Sequence, residues 1–323
     1  CLECFGNAKT VRNDNSSRFG KFMQVKFDDK GYLIGANITK YLLEKSRIVT
    51  ASKNERVYHG LYLVVRGKDA AQYKCEKDSQ FTVLTAGKCV NNKEFDTKEE
   101  YQMVCDSLVS VGVSPAEVTS MFAVVAAILH LGNVQFQPDE EGSTITASSQ
   151  HGVNTAAQLL QIDQAVMEKE FLTTTISVAG QRITKTLNPT AAADGKEALM
   201  KALYDLEFQW LVDKCNELLD TDSSSCWIGL LDIFGFEDFE VNSFEQLCIN
   251  LTNETLQGHY NTYIFQKDLD ECRAEGIDMS MVEFPDNEPC IQMITAKGGV
   301  LSMLDEECSL GKGSDLSFLA KMS

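Results

Sequence analysis

Positive charge is scarce in this chain: 29 Lys and Arg stand against 47 Asp and Glu, a formal net charge of −18 over 323 residues. Nucleic-acid binding draws its affinity from a basic surface that displaces counterions, so this composition argues against that class of partner. Long apolar runs are missing as well. No stretch approaches the length needed to span a bilayer and no signal peptide opens the sequence, which makes a cytoplasmic location the default expectation. The 11 cysteines are odd in number and scattered. Cys1 and Cys4 have no second pair and no Cys/His cluster appears, so they read as reduced packing residues rather than a disulfide framework or zinc site. His59, His130, His151 and His259 have no evident partners and read as structural. Repeats and low-complexity tracts are absent.

A phosphate-cradling loop is absent too. Its pattern, G-x-x-x-x-G-K-[S/T], requires a hydroxyl after the lysine. Each Gly-Lys pair fails there: Phe22, Asp69, Cys89, Glu197 and Gly313 occupy the next position.

With 44% hydrophobic residues the chain can bury a substantial core, and its length allows about two domains. Lys21–Phe27 alternates with period two, residues 28–31 turn, and Tyr32–Ile38 returns, which predicts a hairpin. Ser114-Pro115 starts a helix carrying Val118, Phe122, Val125, Ala126 and Leu129 on one face and ending at Gly132. Residues 138–150, rich in Asp, Glu, Gly, Ser and Thr, read as a surface loop. Asn188-Pro189-Thr190 opens a long helix to about Leu219. Residues 221–225 then mark a subdomain boundary. Trp227–Leu231 reads as a buried strand ending in the acidic turn Asp232-Ile233-Phe234-Gly235-Phe236-Glu237. A third helix begins near Asn242-Ser243, with Glu245 completing its cap, and runs to about Arg273 before Gly276. Gly258 inside it suits a site of bending.

Two segments far apart could close on a terminal phosphate: Asn13-Asp14-Asn15-Ser16-Ser17-Arg18-Phe19-Gly20, with amides, hydroxyls and a cation, and the acidic turn 232–237. Each alone is ordinary turn or α/β composition. Together, with Arg18 and Glu237 as natural partners, they resemble switch I and switch II of the myosin motor domain. Four further stretches stand in the order that family requires: Asn7-Ala8-Lys9-Thr10, Tyr41–Arg47, Leu129–Val134 and Asn250–Glu254. Kinesin-type motors share the Ser-Ser-Arg loop, but Phe19-Gly20 and Phe236-Glu237 are the myosin-like versions. The resemblance runs from Leu2 to about Phe318.

The resemblance implies an α/β fold, a P-loop NTPase-like motor core fragment with a mixed sheet flanked by long helices. It implies an upper-cleft subdomain over 1–225 and, over 226–323, the switch II strand, the relay helix and the start of the lower cleft. Mg-ATP is the implied ligand. Ser17 would hold Mg²⁺ and Asp232 would act on it through water. Ser16 and Asn15 would line the γ-phosphate and lytic water, and Asn13 would contact the phosphates. Asn7, with Lys21 the weaker candidate, would hold the diphosphate region. The Gly235 amide would bond the γ-phosphate, where the lack of a side chain permits close approach. Arg18 and Glu237 would close the site, and Glu237 would help order water. Lys196 and Glu207 stand where arginines are expected, which alters local salt bridges and not the fold. Met279 stands where many myosins carry a relay-loop Trp.

The implied partners are an actin filament, bound through the complete head, and calmodulin-like light chains on a lever outside this sequence. Actin is itself acidic, so affinity for it is expected from local basic patches or from segments beyond this chain. The missing cradle is expected upstream of Cys1, and this stretch alone is expected to be inactive. The alternative is a degenerate, non-hydrolysing motor acting as an interaction protein, to which the run Val57-Tyr58-His59-Gly60-Leu61-Tyr62 lends some weight.

Overall fold

The computed structural model describes residues 1–92, 95–178, 181–278, 286–310 and 313–323; Met279 lies outside them. The chain divides into two compact units, Cys1–Ile233 and Phe234–Ser323, so the division falls after the strand that ends at Asp232.

The first unit opens with α1 (Leu2–Gly6), β1 (Asn7–Ala8) and β2 (Ser16–Ser17), the two short strands pairing antiparallel with Asn7 opposite Ser17. β3 (Gly20–Phe27) and β4 (Leu33–Tyr41) form the expected hairpin. Asp28 accepts from the amides of Lys30 and Tyr32 at 2.9 and 2.8 Å, and Gly31 takes the left-handed φ of +78° that closes the turn.

Next come α2 (His59–Arg66), α3 (Thr82–Thr85), α4 (Lys98–Ser110) and α5 (Pro115–Gly132). Ser114 and Glu117 cap α5 reciprocally: the Glu117 amide donates to Ser114 Oγ at 3.3 Å and the Ser114 amide to Glu117 Oε2 at 2.8 Å. The expected stripe of Val118, Phe122, Val125, Ala126 and Leu129 is buried. Contrary to the sequence reading, α5 is long and apolar enough by length and composition to cross a membrane. Its apolarity is accounted for by core packing.

The surface loop expected over 138–150 is instead largely a hairpin of β5 (Phe136–Asp139) and β6 (Gly142–Ile145), followed by α6 (Gln150–Leu160). Its turn-rich composition comes from the tight connection and from two strands of only 4 residues each. α7 (Gln164–Leu172), the hairpin β7 (Thr173–Val178) and β8 (Gln181–Thr186), and the 31-residue α8 (Pro189–Leu219) follow. α8 is capped by Asn188, as its sequence indicates. β9 (Cys226–Asp232) then joins the free edge of β3, giving the order β4-β3-β9 with Lys21 opposite Asp232. The core gathers α1, α2, α5 and α8, with Tyr58 stacked on Tyr204 at 5.1 Å and Phe19 edge-on to Phe208 at 4.9 Å. β9 departs from expectation: although apolar, it is exposed along its whole length, because β3 is the one strand paired with it among the described residues.

The second unit holds α9 (Phe244–Ala274), α10 (Glu288–Thr295), α11 (Val300–Ser309) and α12 (Asp315–Met322). Gln246, not Glu245, completes the α9 cap, accepting from the Ser243 amide at 2.9 Å. Gly258 has a packing role. A Cβ there would stand 2.5 Å from Asn287 Oδ1, and the Asn287 amide donates to the Glu254 carbonyl at 2.7 Å.

Candidate functional site

The polar loop over residues 9–15 connects β1 to β2, so the short ladder Asn7↔Ser17 and Ala8↔Ser16 holds it as a hairpin. Inside it, the Thr10 amide donates to the Asn13 carbonyl at 2.8 Å, the Asn15 amide to Asn13 Oδ1 at 2.9 Å, and Lys9 pairs with Asp14. Its base is fixed where the Arg18 amide meets the Gly6 carbonyl at 2.8 Å. Gly6 is required there, since a Cβ would lie 2.4 Å from the Phe19 ring.

A buried ionic chain anchors the loop from below. Glu44 Oε2 accepts from Arg18 Nε at 2.6 Å and from Arg47 Nε at 2.7 Å, and Arg47 continues to Glu55 Oε2 at 3.0 Å. All four side chains are at least nine-tenths buried. Charges so enclosed persist only when paired and hydrogen-bonded. Tyr58 supports the chain by donating to the Glu44 carbonyl at 2.9 Å, and burial, with Glu44 second, pushes its hydroxyl pKa up so that it stays a donor. Arg18 also reaches Ser16 Oγ at 3.4 Å. The sequence suggests a role for Arg18 across the cleft and gives no sign of its tie to Glu44, which lies within the family-like stretch Tyr41–Arg47.

Asn15, half-buried, is the hub of a second network. Its Oδ1 receives Asn7 Nδ2 at 3.1 Å and lies 3.2 Å from His59 Nε2, while its own Nδ2 donates to Glu3 at 3.3 Å. Asn7 is thus buried beneath the loop with its amide engaged. His59, for which the sequence offers no evident partner, has two: Asn15 and the Phe95 ring, stacked at 4.3 Å. Burial first, and then the nearby Arg56 charge, lowers its pKa to about 3, so at neutral pH it is an uncharged imidazole whose Nε2 proton is directed at Asn15. His130 likewise has a partner, the Tyr73 carbonyl at 2.9 Å.

Ser17 and Asn13 are exposed, with Ser16 half-buried between them. The loop runs directly into β3, whose second residue faces the end of β9. Lys21 Nζ accordingly meets Asp232 Oδ2 at 3.1 Å. Asn15, Lys21 and His59 also line one cleft of about 440 Å³, together with Glu3, Glu100 and Cys215. Within the first unit, therefore, the loop residues, Lys21 and Asp232 stand at one end of the β4-β3-β9 sheet.

Mg²⁺ takes hard oxygen donors and commonly keeps phosphate and water in its shell. Ser17 and Asp232 present exposed oxygens of that kind. No group of three or more His, Cys, Asp or Glu among the described residues could hold a metal. The donor set therefore fits an ion shared with a phosphate ligand, not a cage made of protein alone.

Gly235 and Glu237 belong to the second unit. A Cβ at Gly235 would meet nothing within 4 Å, so packing does not demand glycine there. Glu237 is bound to the start of α9: its amide donates to Asn250 Oδ1 at 2.8 Å, Asn250 Nδ2 to its carbonyl at 2.8 Å, and Gln246 Nε2 to its carboxylate at 3.2 Å. Sequence reasoning does not identify Gln246 and Asn250 as site residues, although Asn250 opens the family-like stretch Asn250–Glu254.

The family model "Myosin head (motor domain)" matches residues 1–323. Among curated proteins the chain is similar to Myosin-6 of Arabidopsis thaliana, 42% identical over 99% of this chain and 22% of that protein. Myosin-14 and Myosin-7 of the same plant are each 41% identical over 99% of this chain, with 22% and 19% of their own lengths covered. The chain spans about a fifth of the length of these relatives. With a match along its whole length, the chain belongs to the myosin motor-domain family.

Proposed function

We propose that this chain supplies the switch elements of an actin-based motor that hydrolyses Mg-ATP, an ATPase of the cytoplasmic actin cytoskeleton. The observation that carries the reading is the placement of the Asn13–Ser17 loop, Lys21 and Asp232 at one end of one sheet. Phosphoryl transfer to water is catalysed mainly by positioning and charge stabilisation. Ser17 and Asp232 would hold Mg²⁺, the latter through water, and the ion would offset charge on the phosphates. Asn13, Asn15 and Ser16 would orient the terminal phosphate and the attacking water, with Asn7 holding Asn15 from beneath. Lys21, already near Asp232, would add positive charge. The Gly235 amide would donate to the γ-phosphate, and Arg18 with Glu237 would close the site. Because Glu237 is bonded to Gln246 and Asn250, its movement would be passed to α9 as the relay helix. The chain would fall into upper-cleft and lower-cleft subdomains, with calmodulin-like light chains bound on a lever outside it.

The test is Mg-ATP turnover by a complete head containing this sequence, with and without actin filaments, for wild type and Ser17→Ala. Actin-stimulated turnover should fall at least 100-fold in the variant, by the roughly 100- to 1,000-fold scale for loss of a positioned polar group. A head that binds actin and hydrolyses nothing would replace this reading with the degenerate-motor one. Turnover indifferent to Ser17→Ala would refute the site assignment.

A further inference from the structure

Both carboxylate oxygens of Glu207 are buried and have no hydrogen-bond partner among the described residues. A buried carboxyl left in this state is costly and calls for an explanation. Its surroundings offer none: Tyr204, one turn earlier, donates its hydroxyl to the Phe5 carbonyl at 2.9 Å, and Cys4 is a buried thiol. Burial raises the pKa of Glu207 well above the carboxylate range, so without a counter-charge it is neutral.

The same residue lines a groove of about 400 Å³ between α5 and α8, walled by Met121, Val124, Leu203, Leu206 and Trp210. That volume falls within the roughly 300–1,000 Å³ of small-molecule sites, and an apolar wall with few polar groups is their usual make-up. Leu206 stands 68% exposed on the wall, an apolar face that an occupant would cover. The other ionisable lining residue, Glu117, is also an acid. Lys214 approaches it only to 4.0 Å and binds Glu217 more closely, at 2.9 Å.

We propose that the α5–α8 groove binds a small amphiphilic cation, an aryl-alkyl ammonium, with its apolar body against Trp210 and Leu206 and its ammonium received by Glu207. The ligand would supply the donor that the fold withholds. An amine should therefore bind in strong preference to an uncharged isostere, because an unpaired buried acceptor penalises a ligand that brings no counter-charge.

The chain has two tryptophans, so Trp227→Phe in the full chain leaves Trp210 as the reporter inside the groove. Titration with 2-phenylethylammonium should change Trp210 fluorescence saturably and at least 10-fold more tightly than 2-phenylethanol. Glu207→Gln, close in shape, should erase that preference while leaving the alcohol unchanged, and Ser120→Phe, which fills the groove from α5, should weaken both ligands. The proposal is overturned if wild type shows no saturable response or no preference for the amine. It is equally overturned if the preference survives Glu207→Gln, or if Ser120→Phe leaves binding intact. The amine-alcohol comparison on wild type needs no core substitution, so it decides the matter even if Glu207→Gln does not fold.

Discussion

Replacing Glu44 by Gln tests the buried chain beneath the polar loop. Glu44 Oε2 serves Arg18 at 2.6 Å and Arg47 at 2.7 Å, and Oε1 receives a further bond from Arg47 at 3.2 Å. The amide removes the charge shared by two guanidinium groups and turns one acceptor into a donor facing them. Breaking a buried pair from one side typically costs about 3–5 kcal/mol, because the remaining charge keeps its desolvation penalty. For a unit of this size, where 1 kcal/mol moves Tm by about 2–4 °C, the melting point should drop by roughly 6–20 °C. Trp210 and Trp227 both lie in the first unit, so urea unfolding followed by tryptophan fluorescence reports on that unit specifically. The deficit should be nearly insensitive to added salt, as expected for groups shielded from solvent. A loss below about 1 kcal/mol, or one that salt abolishes, would mean the chain behaves as a surface ion pair and does not hold the loop.

Acid should weaken the first unit through His59. Its folded pKa of about 3 lies below the ordinary 6.5, so the unfolded chain takes the proton first; stability is complete above pH 6.5 and is lost as pH falls from there toward 3, by up to about 1.4 kcal/mol per pH unit. His130 is lowered by burial as well and adds in the same direction, so His59→Gln should reduce the slope measured by urea midpoints at pH 7 and pH 5 without removing it. Two helix glycines should respond oppositely to alanine. Gly195 in α8 has nothing within 4 Å of an added Cβ and should gain about 0.5–1 kcal/mol, whereas Gly258 would meet Asn287 at 2.5 Å and should lose about 1–3 kcal/mol despite better helix propensity. Thermal melts of the two variants check both signs.

Elements with strong local chemistry are legible in the sequence alone. Ser114-Pro115, Asn188-Pro189 and Ser243 each open a helix because their side chains or ring settle the free amides of the first turn, and that signal is local. The hairpin after the polar loop is equally plain from alternation and Asp28-Gly31. The β5–β6 hairpin is not, since two strands of 4 residues around a Glu-rich turn carry too little periodicity to separate them from a loop. β9 misleads in another way. Its apolar sequence indicates burial, yet covering it requires neighbours that composition does not specify.

The site divides along the same line. Residue types and their order identify Asn13–Arg18 and Asp232–Glu237, but side-chain partners depend on the tertiary fold. Arg18 is held by Glu44 from 26 positions away, and Asn15 by His59 from 44. Neither separation leaves a mark in sequence. Gln246 and Asn250 escape notice because a helix-capping residue and a helix-interior amide look alike whether or not they bind a neighbouring turn.

The central claim is that Arg18 and Glu237 act together to close a hydrolytic site. Since Glu44 already binds Arg18, any Arg18 substitution costs something by itself, and the informative quantity is the interaction between the two positions. Mg-ATP turnover of the complete head should therefore be measured for Glu237→Arg in the wild-type and Arg18→Glu backgrounds. The account predicts that each single change abolishes turnover and that the double exchange recovers part of it, a coupling above about 1 kcal/mol in ΔΔG‡. Losses that simply add would contradict it, because two residues that never meet have no shared term to restore.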